Sequence, residues 1–466
     1  MALGRKNTYE IDMCSGAILP KLLRFTLPLM CSGILQLLFN AADIIVVGRY
    51  AGDNALAAVG SNSSLISLLV NLFIGLSVGA NILAARFYGA RDREGMHQTV
   101  HTAMLLSVIS GVFLTVVGVF GAETILTWMN SPEDVRSLAA VYLRIYFLGM
   151  PATMLYNFGA AILRATGDTQ RPLYYLTFAG VVNVALNLLL VIVFRMDVAG
   201  VGIATVASQV ISAALVVRCM MRASGAVHLE VRDLKIHPAR LKQILQVGIP
   251  AGFQGILFSL ANVFIQSSIN SLGEIVVAGN AAASNIGGFI YVAMNSVYQA
   301  TISFTSQNYG AGRYDRIRPI LIRSLGCVLA IGLLLGGFSV LFGPQLLGIY
   351  SDSAPVIAEG MKYMKIICTT YCLCGVMEVM AGALRGLGYS VMPMVVTLVG
   401  ACGLRLIWIA TLFRIPALHS INTLYWSYPV SWMVTIAAHT GCYLWAMKRL
   451  KQSLDLTKQT TSVLQE

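Results

Sequence analysis

Long apolar runs separated by short polar stretches dominate the pattern of this sequence. A helix needs about 20 predominantly apolar residues to cross the hydrocarbon core of a bilayer. Twelve segments meet this length and predict membrane-spanning helices: 22–48, 55–86, 98–120, 138–163, 172–194, 199–221, 242–269, 276–306, 318–342, 357–384, 391–413 and 421–447. The pattern therefore predicts an all-α polytopic membrane protein with twelve transmembrane helices.

Composition supports this class. Hydrophobic residues make up 57% of the 466 residues and charged residues only 11%, whereas soluble domains contain about 25% charged residues. One side of the predicted membrane carries 24 of the 32 Lys and Arg residues, and the positive-inside rule identifies that side as cytoplasmic. We therefore expect a multi-pass protein of the plasma (inner) membrane with both termini in the cytoplasm. Because the basic residues lie in these loops, the net charge of +12 does not indicate nucleic-acid binding.

The chain also repeats itself. Matching residues stand 221 positions apart: Tyr88 and Tyr309, Leu163 and Leu384, Gly167 and Gly388, Pro172 and Pro393. The predicted domains are an N-terminal segment (1–21), a six-helix lobe (22–221), a linker (222–242), a second six-helix lobe (243–447) and a tail (448–466). Two lobes related by a parallel internal repeat are typical of transporters that expose a central cavity to each side in turn.

The first predicted span contains polar side chains on one helix face. Gln36, Asn40 and Asp43 follow one another at intervals of four and three residues, so they share a face. An ionisable group at membrane depth costs roughly 2.5–3.5 kcal/mol and usually faces a cavity or a partner. Two interpretations stay open at this point: a structural contact, with Arg144 as a candidate partner of Asp43, or a functional site.

Several short motifs resemble those of the multidrug and toxic compound extrusion (MATE) transporters. They are Asp43 followed by Val47-Gly48, Ala55-Leu56-Ala57-Ala58-Val59-Gly60, the two Tyr-Gly-Ala turns at 88–90 and 309–311, and Leu163-Arg164-Ala165-Thr166-Gly167-Asp168-Thr169 with its partner Leu384-Arg385-Gly386. The resemblance covers nearly the whole chain. It implies a V-shaped, twelve-helix antiporter that exports cationic or amphipathic compounds against inward Na⁺ or H⁺.

The resemblance also implies a cation-binding set in the first lobe. Asp43 matches the essential acid of the first helix, Asn183 and Asn187 match an Asn-x-x-x-Asp motif of the fifth, and Thr205 matches a threonine of the sixth. Asn187 replaces the second carboxylate of that motif. The other branch of the family carries a glutamate in its seventh helix, but residues 255–262 contain no acid. Hard cations such as Na⁺ prefer oxygen ligands, which all four residues offer.

The second half carries different charges. Glu378 aligns with Asn157 of the first half, and Arg405 lies within an apolar span. For Glu378 and Arg405 three interpretations stay open: a structural ion pair, contact with substrate, or a proton relay. The residues expected to line the substrate cavity are Gln36, Asn40, Asn157, Gln254, Asn262, Glu378 and Arg405.

We therefore predict a Na⁺- or H⁺-coupled antiporter that exports organic cations or amphipathic drugs. The alternative is a flippase for lipid-linked saccharides from the same superfamily. We expect no enzymatic activity, no cofactor apart from the coupling ion, and no structural or catalytic metal. The expected partners are small-molecule substrates and the lipid bilayer, without nucleic acid, and the expected state is a monomer.

Overall fold

A computed structural model describes residues 9–128 and 133–463. The ends of the predicted N-terminal segment and tail, 1–8 and 464–466, lie outside the described residues. The α-helices are α1 (Ile18–Tyr50), α2 (Asp53–Gly89), α3 (Arg93–Trp128), α4 (Glu133–Leu148), α5 (Met150–Ala165), α6 (Gln170–Asn187), α7 (Asp197–Arg222), α8 (Pro238–Asn270), α9 (Glu274–Gly310), α10 (Ile317–Leu341), α11 (Gly343–Gly348), α12 (Ala354–Tyr363), α13 (Thr369–Gly386), α14 (Val391–Thr397), α15 (Leu404–Ala410) and α16 (Ile421–Val463).

Most predicted spans correspond to single continuous helices. Within the described ranges, ten helices are long and apolar enough to cross a membrane, and an eleventh is added if the bent pair of α4 and α5 forms one span. The last predicted span corresponds to α16, which is long enough but less apolar because Trp, Tyr, His and Ser residues interrupt its apolar run. The predicted all-α polytopic class is confirmed.

Short π-helical turns interrupt the ladder of hydrogen bonds in three of these spans. They occupy Leu188–Val193 after α6, Met364–Cys368 between α12 and α13, and Leu398–Gly403 between α14 and α15. A π-turn widens the helix locally and is frequent at functional sites. The first of them begins directly after Asn187, a predicted cation ligand.

The internal repeat is visible in how the helices end. Gly167 and Gly388 both adopt a positive φ, of 94° and 101°, just past the ends of α5 and α13. Each glycine N–H donates to an arginine carbonyl three residues earlier, at 3.0 and 2.8 Å. This is the Schellman arrangement, which favours glycine because a Cβ would be strained there. Repeated sequence thus specifies repeated backbone geometry.

The described chain divides into two compact units. The first comprises the described residues up to Ser259 together with Ser303–Ile320, and the second comprises Leu260–Ile302 together with the described residues from Leu321 onwards. The first unit therefore contains α1 to α7, most of α8, and the end of α9 with the start of α10. The lobe boundaries inferred from the repeat stay predictions.

The core of the first unit is apolar and close-packed. Its fully buried side chains come from α2, α3, α4, α5 and α7; they include Ala80, Met104, Phe147, Phe158 and Val216. This core packs α5 and α7 against α2, α3 and α4.

Candidate functional site

A close approach between α1 and α6 places the polar residues of the two helices side by side. Gly180 of α6 lies against the ring of Phe39 of α1, where an added Cβ would be only 1.8 Å from the Phe39 ring. Asp43 follows Phe39 by four residues, and Asn183 and Asn187 follow Gly180 by three and seven. They therefore stand on the same helix faces as the two contacting residues.

Asp43 and Asn187 are in direct contact. The Asn187 Nδ2 group donates a hydrogen bond to Asp43 Oδ1. The same Nδ2 group lies 3.4 Å from Asn183 Oδ1. Asn187 Oδ1 is buried and accepts no hydrogen bond among the described residues. A buried amide oxygen without a donor is available to a cation.

Thr205 brings a third helix to this group. Its hydroxyl on α7 donates to the carbonyl of Val201 at 2.9 Å and also lies within reach of the Asp43 carboxylate. All four residues predicted to bind the cation therefore lie together in the first unit. One carboxylate, two amides and one hydroxyl offer oxygen ligands and a single negative charge, a set suited to one small monovalent cation or one proton.

Two aromatic residues missed by the sequence reasoning also belong to this region. Tyr142 and Tyr146 of α4 both lie close enough to Asp43 to interact with its charge. Their rings lie 6.0 Å apart, as expected for residues four apart on one helix face. That spacing was the only available signal, because tyrosines in an apolar span are usually packing residues.

The structure excludes Arg144 as the partner of Asp43. The Arg144 guanidinium pairs with Glu123 of α3 at 2.7 Å and also donates to the Val119 carbonyl at 3.4 Å. The sequence left open an ion pair between Asp43 and Arg144 as one interpretation, and that interpretation is therefore wrong. Arg144 belongs to the face of α4 that packs against α3, whereas Tyr142 and Tyr146 face Asp43.

The other predicted cavity residues of the first unit are dispersed. Gln36 and Asn40 are exposed on α1, and Gln254 is buried on α8. Asn157 donates to the carbonyl of Thr153 one turn earlier, at 2.9 Å. Among the described residues, Gln36, Asn40 and Asn157 make no hydrogen bond to the Asp43 group. The role of all four residues in a cavity stays a prediction.

In the second unit, Arg405 is buried between aromatic rings. Its guanidinium carbon lies 4.0 Å from the centre of the Tyr428 ring and 5.5 Å from that of Trp432, and its Nε group donates to Ser431 at 2.9 Å. Glu378 is partly buried on α13, and no ion pair joins it to Arg405 among the described residues. Asn262 is exposed on α8. The ion pair considered from sequence is therefore not formed here.

The MatE family model matches residues 28–189 and 250–410. The chain belongs to the MatE family. The two matched segments correspond to the two copies of the internal repeat, so both halves carry the MatE pattern. The chain is therefore a multi-pass membrane transporter, as the resemblance implied.

Individual MATE relatives agree over most of their length. The chain is 26% identical over 449 residues to the probable multidrug resistance protein YoeA of Bacillus subtilis, which covers 95% of both chains. It is 29% identical over 394 residues to YpnP of the same organism, over 84% of this chain and 88% of that one. The fold matches a structure described as the outward-facing conformation of a multidrug resistance MATE family transporter of the MOP superfamily, with a TM-score of 0.87 and 23% identity over 96% of this chain and 99% of that one.

Proposed function

We propose that this MATE transporter is an antiporter that exports organic cations or amphipathic drugs and is driven by inward Na⁺ or H⁺. The observation that supports this most directly is the group formed by Asp43, Asn187, Asn183 and Thr205. Three helices contribute to it, and it contains one ionisable residue. The relatives described as multidrug resistance proteins support the substrate class.

The proposed coupling follows from charge. The Asp43 carboxylate carries one negative charge, and binding of either Na⁺ or a proton neutralises that charge. With Asn187 in place of a second acid, the site holds one negative charge and so balances one monovalent cation. Na⁺ and H⁺ therefore compete for the same carboxylate in this mechanism. Binding of either ion changes the contacts between α1, α6 and α7, and this rearrangement favours release of the drug.

The flippase alternative lacks such support. A lipid-linked pyrophosphate needs exposed basic groups in its path. Arg144 is paired with Glu123, and Arg405 is buried against aromatic rings. Neither Arg144 nor Arg405 is therefore available to bind a pyrophosphate group.

We further propose that the protein resides in the plasma membrane with both termini in the cytoplasm, as the distribution of Lys and Arg predicts. The proposed working unit is the monomer, since each chain contains its own cation group and both repeats.

Efflux from proteoliposomes tests the coupling. Ethidium serves as the cationic probe, and an inward Na⁺ gradient and an inward H⁺ gradient are imposed separately. We expect Asp43→Asn to abolish efflux under both gradients while the purified protein keeps its helical circular dichroism. Asp352→Asn, in an exposed loop, is the matched control and retains wild-type efflux. Coupled efflux by Asp43→Asn would show that another residue binds the ion.

A further inference from the structure

The segment before the first helix folds onto the first unit although it is not helical. We call residues Tyr9–Gly16 the N-terminal strap. Its side chains Met13 and Ile11 are 0% and 7% exposed. The strap turns on itself through Asp12, which accepts hydrogen bonds from Ser15 and from the Cys14 backbone N–H. Burial of apolar side chains from so short a segment indicates a defined docking site.

One side of the strap contacts the first repeat. Gly167, in the turn after α5, passes so close to Ile11 that an added Cβ would lie 2.5 Å from its backbone nitrogen and oxygen. Tyr88, near the end of α2, donates through its hydroxyl to Glu10 at 3.1 Å. The glycine singled out by the repeated motif is thus also the docking point of the strap.

The other side contacts the second repeat. Asn308 of α9 donates to the Met13 carbonyl at 3.0 Å. Arg316, just before α10, donates to the carbonyls of Ser15 and Gly16 at 3.3 and 3.0 Å. Arg316 also donates to Asn308 at 3.1 Å, so the two residues form one connected clamp on the strap backbone.

The strap lies over the place where α2 and α9 cross. The contacts between the two helices at this crossing are made by residues that the internal repeat relates to one another. A Cβ on Gly89 would lie 2.0 Å from the Gln307 carbonyl oxygen, and a Cβ on Gly310 would lie 2.0 Å from that of Arg86. Gly89 and Gly310 are repeat-related, as are Arg86 and Gln307. Cys14 Sγ lies 3.9 Å from Gln307 Oε1. The strap therefore joins the two repeats where their second helices meet.

The linker before α8 makes the reciprocal contact. His237 donates through its backbone N–H to Thr102 of α3 at 3.1 Å, and Arg240 donates to Gln98 of α3 at 3.1 Å. Each repeat thus sends the segment before its first helix onto the other repeat: the strap contacts α9 and the turn before α10, and the linker contacts α3.

We propose that the N-terminal strap is a clasp that holds the crossing of α2 and α9 closed and must leave the Asn308–Arg316 clamp before the ends of these helices separate. The proposal rests on the alternating-access function proposed above, because only a transporter that opens on this side needs a releasable clasp. The side concerned is the one predicted to be cytoplasmic.

The protein contains its own probe of the docked state. Burial, together with the charge of Asp12, raises the pKa of the Cys14 thiol, which lowers its thiolate fraction and slows reaction with maleimides. A variant that keeps Cys14 and lacks the other eight cysteines reports docking directly. In inside-out vesicles, we expect Arg316→Gln and Asn308→Ala each to accelerate maleimide labelling of Cys14 about tenfold. Each variant loses a hydrogen bond that involves the charged guanidinium of Arg316, and the loss of such a bond corresponds to a factor of about ten in an equilibrium constant. Arg313→Gln is the matched control, because Arg313 pairs with Asp315, and it leaves the rate unchanged.

A second probe tests whether the strap holds the crossing closed. Ser303 of α9 is 1% exposed and donates to Asn81 of α2 at 3.2 Å. On a cysteine-free background, we expect Ser303→Cys to be protected from maleimide and Arg316→Gln to increase its labelling about tenfold. Equal labelling of Cys14 in the wild type and in Arg316→Gln overturns the docking. Faster labelling of Cys14 without faster labelling of position 303 overturns the clasp. Neither measurement requires transport, so a failure of drug export cannot be confused with a failure of the strap.

Discussion

At the scale of single residues, the identity of residue 187 determines the charge of the candidate cation group, because the amide of Asn187 leaves Asp43 as its one carboxylate. Its Nδ2 group contacts Asp43, while its Oδ1 atom is buried and has no hydrogen-bond donor in the part of the chain that the structure describes. An aspartate has nearly the same shape and would add a second negative charge at this position. The residue therefore sets how strongly the group attracts a hard cation.

We expect Asn187→Asp to increase Na⁺ affinity about tenfold, because more anionic oxygen ligands strengthen the binding of hard cations. Isothermal titration of the detergent-solubilised protein with NaCl measures this. Asn157→Asp is the control, since Asn157 is bonded to Thr153 of its own helix and should leave Na⁺ affinity unchanged. An unaltered affinity in Asn187→Asp would place the Na⁺ site elsewhere.

Glu378 offers a second test at this scale. It forms no ion pair among the described residues, and its repeat equivalent, Asn157, is already an amide. We expect Glu378→Gln to reduce ethidium efflux partially and to leave Na⁺ binding unchanged, because the first half already has an amide at the equivalent position. Complete loss of ion-dependent efflux would instead assign the coupling site to the second half.

At the scale of helices, the approach of α1 to α6 determines whether the cation group forms. The Gly180–Phe39 contact leaves no space for a methyl group. The apolar cluster one turn beyond Asp43 completes the packing of this region; it includes Val47, Tyr142, Val191, Val198 and Val201. Movement of α1 away from α6 would separate Asp43 from Asn187.

We therefore expect Gly180→Ala to lower Na⁺-coupled ethidium efflux at least tenfold and to cost about 1–3 kcal/mol of stability, as overpacking does. Adding Phe39→Ala makes room for the new methyl group and should restore much of the efflux. Gly441→Ala is the control, because nothing lies within 4 Å of its added Cβ. Normal efflux by Gly180→Ala would mean that the two helices need not touch.

At the scale of the whole molecule, the number of spans and the charge of the loops fix the predicted orientation. Arg93, Asp315 and Asp352 are exposed and stand at the ends of different spans. Arg93 and Asp315 lie in repeat-related regions, so a parallel repeat predicts them on the same side. Asp352 is predicted on the opposite side.

Single cysteines at these positions test the orientation on a background without the nine native cysteines. We expect Arg93→Cys and Asp315→Cys to react with a membrane-impermeant maleimide only in inside-out vesicles, and Asp352→Cys only in intact cells. Labelling of position 93 in intact cells would contradict the twelve-span assignment.

The sequence by itself determined the helices, the spans and the repeat, because these depend on local periodicity, apolar run length and turn chemistry. Gly167 and Gly388 show this: the same motif ends two helices in the same geometry wherever it occurs. The four candidate cation ligands follow from the resemblance of short motifs to a known family, and their role in cation binding stays a prediction. Asp43 was recognisable because a carboxylate in an apolar span is costly.

The tertiary structure alone decided which polar groups meet. Asp43 bonds to Asn187, 144 residues away, and not to Arg144, because packing of α3 on α4 places Glu123 beside that arginine. The contact of the strap with Asn308 joins residues 295 positions apart. Ile11 and Met13 alternate with polar residues in the strap, but this pattern does not specify which distant residues the strap meets. Contacts between distant segments depend on the shape of the packed helices, which the local pattern of residues does not specify.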